Sequence, residues 1–158
     1  MRIRILTTSA LLSSLIIVSL LGLSSDQPSV NAADAVEAKP QPVEKSMHEF
    51  MEYVFQPTYK RLRKGMATEP ADRAAWKAIK SDSLILAEGA NLLLFRRPKE
   101  KSDQWVSASL AVRDLGGKFY RAAAKSDYAT ARGHYAAMLK NCNQCHKVFA
   151  DGKYQLLP

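Results

Sequence analysis

The chain has 158 residues, room for one compact domain beyond any targeting segment, and its formal charge is +8. Hydrophobic residues make up 47% and charged residues 24%, with seven glycines and seven prolines, which excludes a disordered or collagen-like chain. The two cysteines, Cys142 and Cys145, stand three positions apart, so no disulfide staples distant parts of the fold.

Arg2 and Arg4 precede an apolar run over 5–23, after which the composition turns polar. Val30-Asn31-Ala32 then places small residues at the two positions that a signal peptidase reads. Residues 1–32 are therefore expected to be a signal peptide, with export to the periplasm. The serines and threonines in the run, its short basic start and the cleavage site argue against a retained membrane anchor. The later apolar stretch over 84–95 is interrupted by Glu88 and Asn91 and is not expected to span a membrane. Residues 33–43, rich in alanine, proline, glutamate and lysine, have no periodicity and read as a flexible leader. The domain is then 44–158.

Ser46-x-x-Glu49 is a capping box, and Phe50, Met51, Val54, Phe55 and Leu62 follow on one side. The pattern predicts a first helix over about 44–64. Pro57 lies inside it, removes the hydrogen bond to the Tyr53 carbonyl and predicts a kink. Thr68-Glu69-Pro70 is expected to start the second helix. Its seam is Trp76, Ile79, Ser83, Leu86, Ala90 and Leu93, in alternating steps of three and four, and Arg96-Arg97-Pro98 ends it.

Ser102 or Asp103 is expected to cap the third helix, whose seam is Trp105, Ala108, Val112, Leu115, Phe119 and Ala122. Gly116-Gly117 costs this helix roughly 1 kcal/mol per glycine relative to alanine. Close approach of a neighbouring helix, or of a flat ligand, would explain the pair. Ser126 or Asp127 caps the fourth helix, and Tyr128, Ala131, Tyr135 and Met138 repeat the pattern. With no alternation of the β type and short connections, the predicted fold is all-α, an antiparallel up-down-up-down four-helix bundle.

The same steps carry the last seam to Cys142, Cys145 and Phe149, so both thiols are expected to face the bundle interior, with His146 near the same side. Cys142-Asn143-Gln144-Cys145-His146 is the haem-attachment signature. Two thiols one helical turn apart can form thioethers to the two vinyl groups of a haem, and the adjacent histidine then reaches the iron from one face. A thioredoxin-like dithiol expects a βαβ context, which an all-helical pattern does not supply. A structural zinc site needs four ligands, and His48 and His134 are the remaining histidines. One covalent haem c in the bundle core uses all three residues of the motif.

An exported four-helix bundle with a single Cys-x-x-Cys-His in its last helix, and Trp105 near the start of the third, resembles the cytochrome c′ family and its low-spin, methionine-ligated relatives. The resemblance covers about 46–153. It implies that Cys142 and Cys145 are the thioether anchors, that His146 is the proximal iron ligand, and that a first-helix residue faces the sixth position. The matching stretch, Met47-His48-Glu49-Phe50-Met51, offers Met47, which falls on the steps 47, 50 and 54, with Met51 and His48 as alternatives. Methionine ligation implies a six-coordinate electron carrier rather than an enzyme. An open sixth position implies instead a five-coordinate protein that binds or senses nitric oxide or carbon monoxide. A small peroxidase would have His48 and Glu49 as its distal acid–base groups. The family commonly has a basic residue four positions after the proximal histidine; here that position is Ala150.

Tyr53, Tyr59, Tyr120 and Tyr135, with Arg61, Arg63, Arg96 and Arg97, are candidates to hold the haem propionates, and no spacing selects among them. The run Lys60-Arg61-Leu62-Arg63-Lys64 reads either as a solvated helix end or as a docking patch for an acidic redox partner protein. Nucleic acid is not expected as a partner, because an exported chain without a reading module has no means of recognising it. The resemblance also implies a homodimer as an option, paired through the first two helices.

Overall fold

The computed structural model describes residues 40–158; the expected signal peptide, 1–32, and most of the leader, 33–43, lie outside the described residues. Ser46 has extended backbone and its hydroxyl accepts the Glu49 N–H at 3.2 Å, so the capping box opens α1 (Met47–Phe50) as expected. The helix continues through a π turn (Met51–Phe55) into α2 (Gln56–Gly65). These three pieces form one first helix. The Gln56 N–H reaches the Met51 carbonyl, five residues back, and the Thr58 hydroxyl donates to the Val54 carbonyl at 2.9 Å. The wider turn relieves the crowding that the Pro57 ring imposes on the preceding turn. Where the sequence predicts a kink, the structure has a π turn.

α3 (Arg73–Leu93) begins later than Thr68-Glu69-Pro70 suggests. Asp72, not the threonine, caps it, its carboxylate accepting the Ala75 N–H at 2.8 Å. A short 3-10 turn (Leu94–Arg96) ends this helix, and Arg97 is extended before Pro98. α4 (Ser102–Ala124) starts after Lys101 in the left-handed region, φ 53°, with no side-chain cap. Neither Ser102 nor Asp103 caps it; Asp103 in the first turn complements the helix dipole instead. α5 (Tyr128–Phe149) is capped by Asp127, which accepts the Thr130 N–H at 3.1 Å.

Consecutive helices pack on one another, α2 on α3, α3 on α4 and α4 on α5, and the described residues contain no strand. The first helix and α5 do not pair closely. The predicted seam of α3 is buried at every position, and that of α4 is buried at Trp105, Val112, Phe119 and Ala122 and half-buried at Ala108 and Leu115. One helical core follows, with Phe119, Ala131, Tyr135 and Met138 at its centre. A Cβ added at Gly116 would stand 3.0 Å from the Ala87 Cβ and 3.1 Å from its Cα. The glycine therefore serves close approach of α3 to α4, rather than of a flat ligand. Arg61 on α2 binds the Asp82 carboxylate on α3 with two nitrogens, at 2.7 and 3.0 Å, and ties the first helix to the rest. No helix among the described residues is long and apolar enough to cross a membrane.

Candidate functional site

α5 carries its core stripe from Ala131 through Tyr135 and Met138 to the cysteines without a break in period. Cys142 packs on the main core together with Phe55, Tyr59, Leu115 and Leu156. Burial, with the neighbouring Cys145 adding to it, pushes its thiol up to about 12. Cys145 is half-buried, and burial raises it too. It lines an open groove of about 540 Å³ with Asp103, Ser107 and Ala108 of α4 and Phe149 of its own helix. Both cysteines are free thiols. Burial in apolar surroundings keeps both thiols neutral and makes them weak nucleophiles.

His146 follows on the same turn and is half-buried. Its Nδ1 stands 2.8 Å from the Tyr154 carbonyl oxygen. A carbonyl only accepts, so Nδ1 carries the proton and Nε2 keeps its lone pair. That tautomer, with one nitrogen donating to a backbone oxygen, is the one that presents the other nitrogen to a metal.

Across the bundle, Met47, Met51, Val54 and Phe55 pack on a second cluster formed by Phe50, Leu93 and Trp105. Phe149, one turn beyond His146, joins that cluster and meets the Trp105 ring edge-on at 5.0 Å. The two methionines and the histidine motif therefore border one end of the core. His48 lies outside the cluster; its side chain is 64% exposed and its Nε2 is 3.2 Å from Glu52.

The propionate candidates separate in the structure. The Tyr59 hydroxyl is engaged with the backbone of Leu157, Arg61 with Asp82, and Tyr53 is exposed. The Arg96 guanidinium lies 3.8 Å over the Phe50 ring, although its Nε is buried without a partner. Tyr135 is fully buried and its hydroxyl has no partner. Arg132, one turn before it on α5, buries an unpartnered Nη1 with its guanidinium 5.8 Å from the Tyr135 ring. Arg132 escaped the sequence reading because no periodicity marks an arginine that folds back along its own helix.

Asn143, between the two cysteines, also escaped it. Its side-chain amide donates to the Leu156 carbonyl at 2.9 Å, and its oxygen accepts the Leu156 N–H at 2.7 Å. Among the described residues, no group of three or more His, Cys, Asp or Glu side chains is placed to hold a metal ion, so the four-ligand zinc alternative finds no ligand set there. The basic run on α2 is partly spent within the domain, with Leu62 fully buried and Arg61 paired. Comparison with family models, with curated proteins and with solved structures gives no match to this chain.

Proposed function

We propose that this chain is an exported monohaem c-type cytochrome of the cytochrome c′ kind, carrying single electrons between partner proteins in the periplasm. The observation that carries the reading is His146 beside two free, apolar-flanked cysteines, with its Nδ1 proton engaged and its Nε2 available. The residues fit haem on donor chemistry. Cys142 and Cys145 would hold it as thioethers and His146 would bind the iron, with Met47 as the distal candidate and Met51 and His48 as alternatives. When bound, haem supplies a one-electron iron couple. The remaining work falls to the chain. The cluster of Phe50, Leu93, Trp105 and Phe149 would exclude water from the distal side. Tyr135 Oη and Arg132 Nη1, buried and unpartnered, are the donors best suited to receive a propionate carboxylate. A macrocycle beside Cys142 would lie between α5 and the first helix, which are not paired closely.

A pyridine haemochrome spectrum of the matured protein tests the reading directly. Two thioether linkages are expected, with one lost in Cys142→Ala and one in Cys145→Ala; absence of covalent haem would overturn it. Methionine ligation predicts a low-spin spectrum that Met47→Ala abolishes and Met51→Ala leaves intact. High-spin iron that takes up carbon monoxide without losing a ligand would replace electron transfer with gas binding.

A further inference from the structure

Residues 150–158 leave α5 and turn back along the open side between α5 and the first helix, through three residues of positive φ, two of which are not glycine. Asp151, Gly152 and Tyr154 have positive φ, at 51°, 72° and 59°. A tyrosine in the left-handed region is strained and persists only when its surroundings hold it there. What holds it is a set of paired hydrogen bonds. The His146 carbonyl accepts the N–H groups of Ala150 at 2.8 Å and Gly152 at 3.1 Å. Asn143 makes its two bonds to the backbone of Leu156. The Tyr59 hydroxyl, on the first helix, donates to the Leu157 carbonyl at 2.9 Å and accepts the Leu157 N–H at 3.0 Å. Between these fixed points, Tyr154 aims its carbonyl at His146 Nδ1, and its ring stands 6.4 Å from the His146 ring and 6.5 Å from that of His48.

We propose that residues 150–158 form a positioning strap, clamped by Asn143 and Tyr59, that fixes His146 in its Nδ1–H tautomer and ties it to the first helix. Asn143 and Tyr59 are positioning residues: neither touches His146, and both act through the backbone carbonyl of Tyr154. The tautomer does not depend on haem, whereas its use to tune an iron rests on the function proposed above. A firm Nδ1–H bond to a carbonyl makes the imidazole a stronger donor through Nε2 and favours the oxidised metal. Releasing the strap should therefore raise the reduction potential without removing the ligand.

The experiment uses the full chain with Asn143→Ala, Tyr59→Phe and, as a control outside the strap, Tyr53→Phe. In the haem-free protein, nitrogen NMR of the His146 ring at mildly alkaline pH should show the Nδ1–H tautomer alone in the parent and in Tyr53→Phe. Asn143→Ala and Tyr59→Phe should each give a tautomer mixture. In the haem-loaded protein the same two variants should raise the reduction potential and shift the low-spin electron paramagnetic resonance signal, and the control should do neither. A mixed tautomer in the parent, or variants that leave the tautomer unchanged, would overturn the strap. Strap variants that mix the tautomer yet leave the loaded protein's potential unmoved would overturn the tuning role. A chain that takes up no covalent haem removes the proposed function and leaves the tautomer measurement to decide the strap.

Discussion

Burial in the core, with the neighbouring Cys145 adding to it, keeps the Cys142 thiol neutral. A residue at the other end of α5 responds to pH in the opposite sense. Asp127 is held below the usual carboxylate range first by the Thr130 side chain and then by the Thr130 N–H that it accepts, the Lys125 charge adding a smaller push. A lowered folded value means that the carboxylate's contribution is present above the ordinary aspartate range and is lost as pH falls through the lowered value. Asparagine caps a helix about as well and does not titrate. Urea midpoints of the parent and of Asp127→Asn should therefore differ most near neutrality, with the parent the more stable, and the gap should close in acid. A gap that stays constant with pH would show that the charge plays no part.

At the scale of elements, the helix interiors were legible because each seam has only to keep a 3.6-residue period, and Trp76 to Leu93 did so without a break. The ends were less so. Thr68-Glu69-Pro70 has the composition of a helix start, but Asp72 stands where its carboxylate reaches a free N–H, and that geometry decides the start of α3. The strap was not legible at all, since its bonds run mostly to backbone carbonyls and N–H groups, which every residue carries. In the motif itself, residue types alone single out Cys142, Cys145 and His146 as candidates, while the contacts of Asn143 depend on a partner thirteen residues away. Two glycines test the packing. Gly133 on α5 has open space where a Cβ would go, so Gly133→Ala should stabilise the protein by about 0.5–1 kcal/mol in urea unfolding. Gly116→Ala would press on the Ala87 backbone and should destabilise by about 1 kcal/mol or more, despite the same gain in helix propensity. Equal effects at the two positions would contradict the close approach of α3 to α4.

For the whole molecule, helices α3, α4 and α5 make the compact part, and the first helix is held by α3, the Arg61–Asp82 pair and the strap. Stability is then uneven: the element with the fewest close neighbours opens first. In hydrogen exchange of the haem-free chain, amides of α2 should exchange faster than those in the middle of α4, and Arg61→Ala should widen the difference. Haem loading should slow the first helix most, because the ligand would join it to α5. Uniform protection across the four helices would show that the first helix is no looser than the others.

The π turn bears on how much variation in length this site tolerates. In a plain α-helix, Phe50 and Thr58, eight residues apart, would point about 80° away from each other around the axis. Both are buried here, so the wide turn between them takes up the angle. The turn works as a phase correction of one residue, inserted between the segment that offers Met47 and the segment that carries Leu62 and Tyr59 to the core and the strap. A chain lacking Glu52 could run through 51–55 as ordinary α-helix with both segments still facing inward. Loss of a residue anywhere in 58–62 has no such slack to draw on, and would turn Met47 and Met51 away from the core.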